Sequence, residues 1–386
     1  MEFAVHENVR NSVSAGVRNY RSDIDGLRAL AVVAVIVFHY FPTWLPGGLV
    51  GVDIFFVISG YLISGHIVQQ MRADRFSLLD FYSRRVRRIF PALIVVLVAS
   101  LCFGWMVMSV DAFGLLGKHV AGGADFVANL VFWTERDVRV DESNFNPMLH
   151  LWSLGVEEQF YIVWPLMAWL VWRRGLNVLA TIATVALVSM IANLVIVNID
   201  RVSAFYLPVS RFWELLAGAA LVEIERQYGN MPSSLAPYAA GTGMILLGLS
   251  FALVRVEQMF PGVIALLPVI GAVLVIASGR DIGLKKLVFG NRLAIAIGLI
   301  SYPLYLWHWP LVSFGYVLEG GTPGKAVRIA LIALSFLLAT LTYFLIEKPI
   351  RFGAFKRSQV ALPLCAALAI IGLCGIGIYV WAGFPA

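Results

Sequence analysis

Charge is scarce in this chain. Asp, Glu, Lys and Arg make up 13% of its 386 residues, while 60% are hydrophobic. A soluble chain carries about 25% charged residues. Mean hydropathy is +0.83. These values exclude a water-soluble globular domain and make lipid the solvent for most of the surface. Cysteine is scarce as well: Cys102, Cys365 and Cys374 all sit inside apolar runs. They lack metal-ligand spacing, so they read as packing residues, and no metal is expected. No A-x-A cleavage site follows the first apolar run, whose flanks are basic, so that run reads as a retained helix and not a signal peptide. There is no internal repeat and no low-complexity tract. The net charge of +6 does not point to nucleic acid, because basic loops held on the cytoplasmic side of a membrane account for it.

Long apolar runs are abundant. A helix needs about 20 mostly apolar residues to cross the hydrocarbon core. Eleven runs qualify, at roughly 27–45, 48–70, 89–109, 149–172, 176–198, 207–224, 236–254, 261–278, 293–317, 326–346 and 360–382. Segment 112–133 carries Lys118, His119, Asp125 and several glycines. It is expected to be a helical piece outside the bilayer. With it excluded, one set of loops collects 21 of the 29 Lys and Arg residues, from Arg10, Arg18, Arg21 and Arg28 to Lys348, Arg351, Lys356 and Arg357. By the positive-inside rule that side is the cytoplasm, which puts the N-terminus inside and the C-terminus outside. The expected fold is an all-α polytopic membrane protein, a bundle of about ten helices plus an eleventh. It divides into a loose cytoplasmic tail over 1–20, a membrane domain over 21–350, and a basic linker with an appended span over 351–386.

Ionisable groups inside spans are costly and mark function by default. Arg28 and His39 are eleven residues apart, close to three helical turns, so they share a face about 16 Å apart along the axis. Arg84, Arg85, Arg87 and Arg88 crowd the stretch FYSRRVRRIFP. Four guanidiniums exceed a topology signal, and their planar forks suit a polyphosphate ligand arriving from the cytoplasm. In HLWSLGVEEQFYIVWP, residues 150–165, His150, Glu157 or Glu158, and Tyr161 lie on one helical stripe. One glutamate is expected to orient a reacting group and the other to be structural, for example as a brace to Arg211. His150 and Trp152 belong with the substrate side. SYPLYLWHWPL, residues 301–311, offers Tyr305 and His308 for an acceptor pocket, or simply an aromatic belt at the membrane interface. Asp53 in GGLVGVDIFFVISGYLI is a candidate to pair with His39 and fix its tautomer, as the carboxylate of a triad does. A secondary transporter with an intramembrane His/Glu site is the rival reading, but two related halves are not found. A non-catalytic scaffold would leave the clustered charges without purpose.

DGLRALAVVAVIVFHYF, GGLVGVDIFFVISGYLI, FYSRRVRRIFPAL, HLWSLGVEEQFYIVWPL and SYPLYLWHWPL, in this order, resemble the membrane acyltransferase 3 family over residues 20–350. The resemblance implies an O-acetyltransferase of a bacterial inner membrane. It would take an acyl group from cytoplasmic acetyl-CoA, a co-substrate, and place it on a carbohydrate hydroxyl outside. The acceptor is left open among lipopolysaccharide O-antigen, exopolysaccharide, peptidoglycan, lipid-linked oligosaccharide and small glycosides, as is the oligomeric state. The family's Arg-x10-His pattern falls on Arg28 and His39, with the His catalytic, and its Arg-x-x-Arg pattern on Arg85 and Arg88. Many members of the subgroup continue into a soluble SGNH-type domain after an eleventh span; this chain stops there and is expected to be a short form or a fragment. The resemblance leaves open whether His39 deprotonates the acceptor directly or first carries the acyl group itself.

Overall fold

The computed structural model describes residues 21–136, 146–255, 258–279, 282–353 and 357–383. The tail over 1–20 and the basic residues Arg280 and Lys356 lie outside the described residues. Within the described residues the chain is helical, without a strand. The helices are α1 (Ser22–Tyr40), α2 (Gly51–Arg72), α3 (Leu78–Val107), α4 (Val110–Ala124), α5 (Ala128–Glu135), α6 (Leu151–Arg173) and α7 (Val178–Ile199). After these come α8 (Arg201–Tyr206), α9 (Pro208–Tyr228), α10 (Ala236–Leu253), α11 (Leu266–Ala277), α12 (Gly283–Phe289) and α13 (Arg292–Leu299). The last are α14 (Ser301–Glu319), α15 (Lys325–Thr342), α16 (Lys348–Phe352) and α17 (Arg357–Trp381), with a π-helical turn, Tyr343–Glu347, between α15 and α16.

Short polar side chains start many of these helices. Ser77, Ser109, Asn177, Asp200 and Asn291 each accept a hydrogen bond from a backbone N–H of the first turn, satisfying donors that the helix itself leaves open. Among the described residues seven helices are long and apolar enough to cross a membrane, eight if α13 and α14, bent by 68° at Ile300, form one broken span. The fold is thus an all-α polytopic membrane fold. Three of the eleven runs read from the sequence fall in helices outside that set. These are α1 and α6, which carry the polar site residues, and the short α11.

Apolar burial does not drive helix association in lipid, so close packing must do so. Glycines supply it at the centre. An added Cβ on Gly60 of α2 would stand 1.7 Å from the Leu215 carbonyl oxygen of α9, and one on Gly218 of α9 would stand 2.1 Å from that of Val57. The pair lets α2 and α9 touch backbone to backbone, and α2 becomes the most buried span, 72% against 22% for α7. On one side of α1, Arg21 bridges Asp23, which also holds Lys285, and Gly26 abuts the Phe289 backbone. These contacts fix the helix that carries Arg28 and His39.

Segment 112–133 folds as α4 and α5, a helical hairpin, as the sequence suggests, but it is not a loose piece. Two of the groups that argued against lipid pair within the hairpin: Glu135 lies 2.6 Å from Lys118 Nζ and 2.8 Å from His119 Nε2. Its glycines seat it against α17, where Gly117 and Gly375 approach so closely that a Cβ on either would meet the other's carbonyl oxygen at 2.5–2.6 Å. The eleventh span is therefore more than an appendage. It is peripheral, but one face, with Leu368 and Ile371 buried, is keyed into α4 and α3.

Candidate active site

His39 lies one residue before the end of α1. Its Nδ1 is 3.0 Å from Nε2 of His308 on α14, and the two rings are within 10° of parallel. His308 Nδ1 is in turn 2.6 Å from the carbonyl oxygen of Tyr305. A carbonyl only accepts, so in the neutral pair His308 Nδ1 carries the proton and its Nε2 accepts. His39 Nδ1 is then the donor, which leaves a lone pair on His39 Nε2. The chain Tyr305–His308–His39 thus fixes a tautomer, as a carboxylate does in a triad. Trp309 stands edge-on to the His39 ring at 4.6 Å and is itself held by a 2.7 Å bond to the Asn146 carbonyl.

His39 is half-buried because one side of its ring faces a chamber of about 970 Å³. Aromatic rings dominate the wall, Trp152, Phe205, Tyr206, Phe260 and Trp309 among them, with Arg201 and Gln258. His150, at the N-cap of α6, is buried in the same wall. Neither of its ring nitrogens makes a well-formed hydrogen bond, although the Leu306 backbone is near. That carbonyl lacks its usual helical donor because Pro310, four residues on, has no N–H.

A second chamber, about 780 Å³, lies against the first and shares Val52 and Tyr305 with it. Here Arg28 of α1 meets Arg85 and Arg88 of α3 and Glu157, Glu158 and Tyr161 of α6. The eleven-residue spacing of Arg28 and His39 thus places one at each chamber. Glu157 accepts short hydrogen bonds from Ser59 and Tyr161, and the Arg85 guanidinium stacks over the Tyr161 ring at 4.1 Å. Glu158 is the more buried of the two, and its Oε1 has no hydrogen-bond partner. A third, basic cavity opens from this chamber: it shares Leu62, Ile63, Arg85 and Arg88 with it and adds Arg84, Arg87, Arg351 and His66. Through these shared residues the three cavities form one series from the arginine cluster to His39.

Several expectations need correction. Asp53 does not pair with His39. It is fully buried beside Arg211, with Asp53 Oδ1 3.3 Å and Glu214 Oε1 2.9 Å from that guanidinium. The brace expected between Arg211 and a glutamate of α6 is made instead to Asp53 and Glu214. His308, expected in an acceptor pocket, does not line the aromatic chamber; it is fully buried behind His39, its Nε2 3.0 Å from His39 Nδ1. Arg87, by contrast with its neighbours, is spent on structure, donating to the Ile350 and Arg351 carbonyls at the end of α16 at 2.6–3.1 Å. Trp152 and Tyr305 do line the aromatic chamber, as does His150. Arg351 is the site residue that sequence reasoning missed as one; its signal was Glu347, one helical turn before it, with which it pairs at 3.3 Å. Among the described residues no group of three or more His, Cys, Asp or Glu is arranged to hold a metal ion.

A family model described as an acyltransferase domain matches residues 21–348. The peptidoglycan O-acetyltransferase OatA of Listeria monocytogenes is 32% identical over 354 residues, which cover 88% of this chain and 57% of that protein. The O-acetyltransferase OatA of a Staphylococcus aureus strain is 29% identical over 375 residues, covering 91% of this chain and 62% of its own length. The chain therefore spans about three-fifths of the length of these relatives. No solved structure matches it.

Proposed function

The chain belongs to the acyltransferase family, and on that premise we propose that it is an integral membrane O-acyltransferase, moving an acetyl group from acetyl-CoA to a hydroxyl of a carbohydrate across the bilayer. The observation that carries this reading is the series of three cavities, with arginines at one end and a basic imidazole nitrogen at the other. The relatives named as O-acetyltransferases, one of them of peptidoglycan, support a bacterial cell-envelope glycan as acceptor.

In this reading the arginine end faces the cytoplasm, the N-terminus is inside and the C-terminus outside, in the cytoplasmic membrane. The phosphates of coenzyme A sit among Arg84, Arg85, Arg88 and Arg351. Guanidiniums bind phosphate oxygens bidentately and stay charged at any accessible pH, and Arg85 Nε has no hydrogen-bond partner among the described residues. Arg28 lies further in, beside the arm that carries the thioester. The acceptor enters the aromatic chamber, whose flat apolar rings suit the C–H faces of a sugar. His39 Nε2 takes the proton from the hydroxyl as its oxygen attacks the thioester carbonyl. The C–S bond then breaks, and the coenzyme A thiolate takes the proton back from the imidazolium. No acyl-enzyme forms on this route, so trapping an acetylated His39 would overturn that step. Glu157, bonded to Ser59 and Tyr161, holds the Arg85 platform and acts one shell from the reaction.

The test is transfer from acetyl-CoA into surface glycan, read by mass spectrometry of the glycan with and without the intact protein. Replacing Arg85 and Arg88 together by alanine is expected to weaken donor binding. Each charge-assisted bond is worth about 1.5–3 kcal/mol, so losing two should raise the KM for acetyl-CoA by at least about a hundredfold, at about 1.4 kcal/mol per tenfold, with a smaller change in kcat. An unchanged KM would leave these arginines as topology signals.

A further inference from the structure

The donor and acceptor chambers share a small stretch of wall. Among the described residues, only Val52 on α2 and Tyr305 on α14 line both. His39 lines the outer chamber alone and the arginines 28, 85 and 88 line the inner one alone. On the function proposed above, on which this inference rests, the acyl group of the thioester must pass between Val52 and Tyr305 to reach His39. The place is also stiff. Tyr305 Oη is pinned twice to the start of α6, 2.7 Å from Ser153 Oγ and 2.9 Å from the His150 carbonyl. The ring therefore cannot swing aside without breaking both bonds, and Phe55 stands edge-on to it at 6.4 Å. Val52 is β-branched, and in a helix such a side chain keeps essentially one rotamer. It is 9% exposed.

We infer that Val52 and Tyr305 form a septum that sets which acyl groups are transferred, admitting a two-carbon group and excluding longer chains. Each methylene a site must accept or reject changes selectivity by roughly 10–200-fold, so one side chain at the septum suffices for a strong preference.

The experiment measures initial rates with acetyl-, propionyl- and butyryl-CoA in inside-out vesicles carrying the full chain. Val52→Ala removes two methyl groups from the opening. It is expected to raise the butyryl-to-acetyl rate ratio at least tenfold. Tyr305→Phe keeps the ring and removes only the two hydrogen bonds. It is expected to raise the same ratio by releasing the ring, and it serves as the second reading if Val52→Ala does not accumulate in the membrane. Val52→Leu should move the ratio the other way, lowering even acetyl transfer while coenzyme A still binds. A purely structural role would lower all three rates in proportion. If the unaltered protein transfers acetyl and the ratio stays fixed in both Val52→Ala and Tyr305→Phe, the septum is wrong. If the unaltered protein transfers no acyl group from any thioester, the proposed function itself is wrong.

Discussion

His39→Ala is expected to abolish acyl transfer while the protein still inserts and folds. A positioned general base contributes about two to four orders of magnitude, and among the described residues no other imidazole is held by such a relay. His308 has both nitrogens committed to the relay, one toward Tyr305 and one toward His39. His150 lines the same chamber but lacks the imidazole relay that orients His39. Folding should survive because His39 is half-buried and gives up only its contacts with His308, Trp309 and Phe38. The measurement is the transfer rate per mole of membrane-extracted, monodisperse protein. A rate within tenfold of the unaltered protein would remove His39 from the chemistry. The relay adds a sharper form of the same expectation. His308→Ala leaves the His39 ring in place but no longer dictates which nitrogen is protonated. It should cost less than His39→Ala and act on kcat more than on the KM for acetyl-CoA.

How much of this was legible beforehand depends on the distance over which each signal acts. Helical content and the place of most helices follow from runs of apolar residues, a local property. So did the Arg28–His39 stripe, because one helix carries both. The charge cluster at Arg84–Arg88 was visible too, but its division of labour was not. Arg87 differs from Arg85 and Arg88 only by which carbonyls lie 263 and 264 residues further along. The partner of His39 was misassigned for the same reason. Asp53 is near in sequence and chemically apt, whereas His308 is 269 residues away and looked like one more member of an aromatic belt. In segment 112–133 the charges were read as bound for water. Two of them, Lys118 and His119, share a partner in Glu135, just outside the segment, which a reading of the segment alone does not show.

Arg211 is where a single substitution is expected to cost the most stability. Its guanidinium is fully buried, as are the carboxylates of Asp53 and Glu214 beside it. Phe56, Trp152, Phe205 and Phe260 surround it at 5.5–5.9 Å, within cation–π range. Arg211→Met removes the cation that pairs with both carboxylates and strands them in a low-dielectric interior. Breaking a buried ion pair from one side costs about 3–5 kcal/mol. That is large against the ~5–15 kcal/mol by which proteins are typically stable, so the variant should accumulate poorly and unfold early in detergent. The cause can be separated from lost packing. Combining Arg211→Met with Asp53→Asn and Glu214→Gln removes the stranded charges while keeping similar volumes. Replacing a buried ion cluster as a whole is often neutral or stabilising, so the triple variant should regain most of the lost unfolding temperature. Were it no better than Arg211→Met alone, the cluster would owe its effect to the shape of the arginine in its aromatic box. Asp53→Asn by itself is the discriminating control for the sequence-based triad. As a brace it should shift thermal stability, and as a partner of His39 it would shift the pH dependence of transfer.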